Sequence, residues 1–209
     1  MDATEAELRV LGCLIEKQRT VPDAYPLSLN SLRLACNQAT NRDPVVEYDE
    51  ETIRLALAGL SRRGWARLAS GPGSRAVKYR HLFDEAVALS HAEVSLLAVL
   101  MLRGAQTPGE LKQRSERLHP FASLEEVDGV LEGLVERELV APLPRRPGQK
   151  EERYRHLLGA ESGGPAELPL PTEADDDRID ALEERIRVVE QELVLLRRAF
   201  DGRATADNL

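Results

Sequence analysis

The residues with the clearest chemical potential are four cations in a stretch that contains no acid: between Ala66 and Leu82 the chain carries Arg67, Arg75, Lys78 and Arg80. Lys78 and Arg80 are two apart, so they share one face of any strand they occupy. Four cations on a hairpin neutralise a few phosphates and give weak, salt-sensitive contact with a duplex backbone. The same residues also have a plain structural use, because basic side chains keep an exposed strand edge from pairing with another chain. Other chemistries find little support. The sequence contains no phosphate-cradling glycine loop, no Cys/His set at metal-ligand spacing and no nucleophile motif, so neither catalysis nor a cofactor nor a metal is expected. Cys13 and Cys36 lie inside apolar helical patterns and read as buried free thiols. His81 and His156 occupy equivalent places in a repeat, which points to structure; His91 and His119 are isolated.

The repeat organises the chain. Leu57-Ala-Gly-Leu60 matches Leu131-Glu-Gly-Leu134 at an offset of 74, and Tyr79-Arg-His-Leu82 matches Tyr154-Arg-His-Leu157 at an offset of 75. The slip of one residue must fall in the Gly- and Pro-rich turns between these anchors, and a repeat of this length is a duplicated domain. Thr4-x-x-Glu7, Ser90-x-x-Glu93, Thr107-x-x-Glu110 and Ser123-x-x-Glu126 read as capping boxes, each opening an amphipathic run. Three helices are predicted per copy, at about 5–18, 29–38 and 50–63, then about 91–102, 108–118 and 124–137. A two-strand ribbon follows each set, turning at Ser70-Gly-Pro-Gly-Ser74 or Arg146-Pro-Gly-Gln149. Three helices closed by a hairpin make a winged helix. The expected fold is therefore mainly α with small β-hairpin wings (α+β), as two tandem winged-helix domains over 1–88 and 89–158 and a C-terminal coiled-coil helix.

Residues 11–50, LGCLIEKQRTVPDAYPLSLNSLRLACNQATNRDPVVEYDE, carry a further signal in the strings Glu16-Lys17-Gln18, Asp23-Ala24-Tyr25-Pro26, Cys36-Asn37-Gln38 and Asn41-Arg42-Asp43-Pro44. This block resembles the YceH-like family of bacterial proteins, and the resemblance extends over nearly the whole chain. It implies a tandem winged-helix fold and no particular activity.

A winged helix reads DNA with its third helix while the wing touches backbone. In the first copy that helix presents Glu51, Arg54, Leu55, Ala58 and Arg62 opposite its core face. Arg54 and Arg62 suit phosphates or guanine edges, but Asp49, Glu50 and Glu51 crowd the helix start, where they also complement the dipole. The wing is thus the better DNA element. In the second copy the third helix exposes Glu125, Asp128, Glu132 and Glu136, which phosphates would repel, so that half reads as a protein-contact module. The segments 21–26 and 37–49 are longer than a minimal helix-turn-helix requires. They read as an ordered loop or, more sharply, as a partner surface using Tyr25, Arg42 and Asp43, with exposed Leu55 nearby in the same reading.

The net charge of −8 is concentrated at the C-terminal end, where residues 161–209 hold 13 acids against 6 bases; the two folded halves are close to neutral. Residues 159–177 form an acidic Gly/Pro linker, and Ile179, Leu182, Ile186, Val189, Leu193 and Leu196 continue to Phe200 as an a/d heptad seam over 178–200. Its flanking charges pair attractively in a parallel homodimer (Arg178–Glu183, Arg185–Glu190, Glu192–Arg197); the alternative is an amphipathic helix that folds back on its own domains, and 201–209 read as a disordered tail. No apolar run approaches the roughly 18 residues that span a bilayer and no signal peptide opens the chain, so no membrane partner and a cytoplasmic location are expected.

Overall fold

A computed structural model describes residues 2–69, 77–145 and 151–159, all within one compact unit, Met1–Gly164. Its described part is mainly helical with small antiparallel sheets. The first half runs α1 (Glu5–Thr20), a single 3-10 turn (Pro22–Ala24), β1 (Leu27–Ser28), α2 (Leu29–Cys36), α3 (Glu50–Arg62), β2 (Ala66–Leu68) and β3 (Lys78–His81). A short α4 (Phe83–Val87) leads into the second half, α5 (His91–Arg103), α6 (Pro108–Ser115), α7 (Leu124–Glu136), β4 (Val140–Leu143) and β5 (Arg153–His156). The sequence reading contains neither α4 nor β1.

Helix starts follow the hydroxyl–glutamate spacing. Thr4 Oγ1 accepts from Glu7 N at 3.2 Å while Glu7 Oε2 accepts from Thr4 N at 2.7 Å. Ser90 with Glu93, and Thr107 with Glu110, make the same reciprocal pair. The fourth box is incomplete. Ser123 Oγ accepts from Glu126 N at 3.3 Å, but Glu126 reaches past Ser123 to the amide of Ala122 at 2.7 Å. Ser123 sits at φ −142°, against about −70° for the three closed caps, and this rotation turns its own amide away from the glutamate.

The internal repeat extends to individual bonds. Trp65 N donates to Leu60 O as Leu139 N does to Leu134 O, and Leu82 N donates to Trp65 O as Leu157 N does to Leu139 O. In the ribbons Ala66 faces His81 as Val140 faces His156, and Leu68 faces Tyr79 as Pro142 faces Tyr154. The offset is 74 on the first strand and 75 on the second, so the extra residue of the second copy lies between the strands. The first half adds β1 to its ribbon, in the order β1-β3-β2, with Leu27 opposite Tyr79. In the second half the same place holds only a bridge between Gln106 and Tyr154.

The sequence reading gives each half its own core; the structure joins them. Leu8 to Ile15 in α1 and Val94 to Leu102 in α5 are buried on every side, the pattern of a helix enclosed by others. The two helices pack together at Gly12, where an added Cβ would stand 2.9 Å from Leu102 Cγ. One continuous cluster of buried side chains runs from Ala3 through Leu11, Ile53 and Leu97 to Leu131 and Leu158. Each fully buried Leu or Ile contributes about 1.5–3 kcal/mol, so the shared face is a large share of the stability of both halves.

Candidate nucleic-acid interface

The β2–β3 ribbon sets the cations out by register. Arg67 stands directly opposite Arg80, and Lys78 shares their face two residues along β3. The other face turns Ala66 and His81 into the core. Like charges directly opposed across a ladder destabilise it, and here Arg80 is partly neutralised by Glu85 at 3.3 Å. Arg67 is exposed, Lys78 and Arg80 half-buried, and Arg75 lies outside the described residues. Leu68 and Val77 extend the ribbon as exposed apolar positions.

The third helix of the first half offers less. Its outward face carries the expected Glu51, Arg54, Leu55, Ala58 and Arg62. Arg54, however, is held by Glu50 at 2.9 Å and by Glu51 at 3.7 Å, one turn back along the same helix. Asp49 caps the helix by accepting from Thr52 N at 2.8 Å. The acids that crowd the helix start therefore cap it and engage its nearest cation, leaving Arg62 as the exposed base at the far end. In α7 the carboxylates of Glu125, Asp128, Glu132 and Glu136 are exposed, as their spacing predicts.

Of the four residues read as a partner surface, Asp43 and Leu55 are exposed, Tyr25 is half-buried and Arg42 is buried. Arg42 is a correction: its guanidinium is fully buried, because backbone and side-chain acceptors surround every nitrogen. Nε donates to Ala35 O at 3.1 Å; Nη1 donates to Asn41 O at 2.8 Å and to Glu16 Oε1 at 3.2 Å. Nη2 donates to Glu16 Oε2 at 2.7 Å and to Gln38 Oε1 at 3.2 Å. Tyr25 is half-buried and its hydroxyl accepts from His81 N at 2.9 Å, tying the 21–26 segment to β3. Asp43 is exposed at the side chain, yet its amide donates to Leu102 O at 2.8 Å and so satisfies a carbonyl at the end of α5. Leu55 stands out from the surface, 64% exposed. The residues expected to dimerise, Ile179, Leu182, Ile186, Val189, Leu193 and Leu196, lie outside the described residues, as do the expected linker from 160 onward and the tail.

The same network shows what the sequence strings of residues 11–50 do. Glu16, Gln38, Asn41 and Arg42 are one hydrogen-bonded cluster, with Lys17 at 3.1 Å from Glu16. Arg9 reaches across to Cys36 O at 3.3 Å and Pro44 O at 2.6 Å, and Asn37 exchanges two hydrogen bonds with the backbone of Tyr48. Cys13 and Cys36 are buried free thiols beside one another. Contact with Cys13, together with burial, pushes the Cys36 thiol up, so it stays protonated.

Residues 3–149 match the family described as "Protein of unknown function, DUF480", and the chain belongs to that family. It is 46% identical over 211 residues to the UPF0502 protein of Pelobacter propionicus, covering 96% of each chain. It is 42% identical over 208 residues to the UPF0502 protein YceH of Salmonella paratyphi B and of Salmonella typhimurium, covering 96% of this chain and 95% of theirs. No helix among the described residues is long and apolar enough to cross a membrane.

Proposed function

We propose that the protein is a non-enzymatic, DNA-associated regulator of tandem winged-helix architecture that meets duplex DNA mainly through the ribbon, or wing, of its first half. The observation that carries this reading is the register of β2 and β3. Arg67 and Arg80 oppose one another with Lys78 beside them, and Arg75 lies between the strands in sequence. Glu85 neutralises Arg80 only in part, and a phosphate backbone supplies the further anions that opposed cations attract. The self-neutralised start of α3 argues against deep major-groove reading, so the binding is of low sequence specificity. Replacing Arg75, Lys78 and Arg80 together by glutamine weakens affinity for a random duplex by on the order of tenfold or more at low salt, measured by fluorescence anisotropy. Unchanged affinity in that variant would refute the wing assignment.

A second reading, a protein-interaction adaptor without DNA binding, has its own support in the acidic face of α7 and in Leu55 and Leu34, which are 64% and 57% exposed on α3 and α2. It predicts a partner that stays bound after nuclease treatment. In either case the heptads of 178–200 support a parallel homodimer. Light scattering on the full chain then reads twice the 23.2 kDa of one protomer, and truncation after residue 177 returns the mass to that of a monomer; a monomeric full chain would contradict it.

A further inference from the structure

A polar cavity of about 380 Å³ opens between the two halves, where α1 and the 37–49 connector of the first meet α5 and the end of α6 in the second. Its walls carry three arginines, Arg103, Arg114 and Arg117, with Glu16, Asn41 and Thr20 across from them. The volume suits a small metabolite.

The charges there do not balance. Glu16 is fully engaged by Arg42 at 2.7 Å and by Lys17 at 3.1 Å, and Arg114 pairs with Glu110 at 3.1 Å. Among the described residues Arg103 bonds to the neutral amide oxygen of Asn41 and to no carboxylate, and Arg117 is exposed with no ion-pair partner. Burial and the neighbouring cations of Arg114 and Arg42 hold the Arg103 guanidinium below its usual range, against the opposing pull of Glu16 and Glu110. The plain structural use of these arginines is to complement the C-terminal ends of α5 and α6. Each such end carries only about half a negative charge, less than the surplus of cations around it.

We propose that this cavity is a binding site for a small phosphorylated metabolite, whose phosphate monoester Arg103 and Arg117 grip with Arg114 in support. A phosphate monoester carries about two negative charges at neutral pH, against one for a carboxylate. It therefore matches the two guanidiniums that lack a carboxylate, and the planar fork of each fits its oxygens. Val99, Leu102 and Leu118 supply an apolar wall for the organic part. The lining comes from both halves, so the occupant braces one against the other. The site shares no residue with the wing and stands apart from the DNA reading.

The test is calorimetric titration of the full chain with inorganic phosphate and with pyrophosphate, using acetate at matched ionic strength as the monoanion control. Saturable binding of the phosphates and none of acetate is expected. Arg117→Gln should weaken it at least about fivefold and Arg103→Gln/Arg117→Gln more than about tenfold, as loss of charge-assisted contacts requires. Arg117 is exposed, so its single variant remains informative if the double variant fails to fold. A wing variant, Arg75→Gln/Lys78→Gln/Arg80→Gln, should bind phosphate as the parent does. Absence of saturable binding, equal binding of acetate, or binding unchanged in Arg117→Gln would overturn the proposal.

Discussion

Arg42→Ala is expected to destabilise the protein by about 3–5 kcal/mol, the range for removing one partner of a buried ion pair. The guanidinium is fully enclosed and makes five hydrogen bonds to four residues. Its removal leaves the carbonyls of Ala35 and Asn41 without that donor and Glu16 with Lys17 alone. Burial pushes the Glu16 carboxyl up, but the hydrogen bonds and charge of Arg42 outweigh it and hold the group below the usual carboxylate range. Without Arg42 only Lys17 opposes burial, and Glu16 takes up a proton more readily. Arg42→Lys keeps the charge but not the fork, so it recovers only part of the loss. Urea denaturation of the two variants beside the parent measures this; a loss under about 1 kcal/mol for Arg42→Ala would show that the connector does not depend on this pair.

Acidification from pH 7 to about 4.5 should cost a further large share of stability through two imidazoles. His81 and His156 end the second strand of each ribbon with their rings in the core. Burial lowers His81 to about 4, with Arg19 and Arg80 adding to the effect and Asp84 opposing it; burial and Arg155 lower His156 to about 4. The His81 Nε2 contacts Gln18 Oε1 at 2.6 Å, while the Nδ1 atoms of both rings are buried without a hydrogen-bond partner among the described residues, that of His81 lying 3.5 Å from Asp84 Oδ1. Both rings are thus neutral when folded and take up protons near pH 6.5 when unfolded. Between those values the unfolded chain binds more protons, so stability rises with pH. It is fully present above about pH 6.5 and is lost as pH falls through 4. Each ring contributes on the order of 3 kcal/mol by that displacement. A His81→Gln/His156→Gln variant should show a flatter profile of urea midpoint against pH; an unchanged slope between pH 6.5 and 4.5 would show that the rings do not govern it.

Much of the fold is legible in residue types alone. Hydroxyl–glutamate spacings locate the starts of α1, α5 and α6, and the paired LxGL and YRHL motifs predict a repeat that holds bond for bond. The shared core was also written there: nine consecutive residues of α5, VSLLAVLML, are more apolar surface than a single module has room for. What periodicity cannot show is which loop polar groups turn inward. Arg42 sits among Asn, Asp and Pro, the usual company of an exposed turn, and its burial depends on the carboxylate of Glu16, 26 residues earlier, together with acceptors on Ala35, Gln38 and Asn41. Arg103, Arg114 and Arg117 were missed for the related reason that each reads singly as a cation near a helix end. Their convergence depends on how α5 and α6 meet α1. Short elements such as α4 and β1 carry too few residues to express a period.

If the basic wing meets phosphates, its hold on a duplex weakens steeply as salt rises. Fluorescence anisotropy of the full chain with a labelled random duplex, from about 50 to 200 mM salt, gives the slope of log affinity against log salt. With up to four wing cations engaged, a slope of about −2 to −4 is expected, and the variant lacking Arg75, Lys78 and Arg80 should be correspondingly shallower. No binding at about 50 mM salt, or a slope that the variant leaves unchanged, would contradict the account and turn attention to Leu55 and the acidic face of α7.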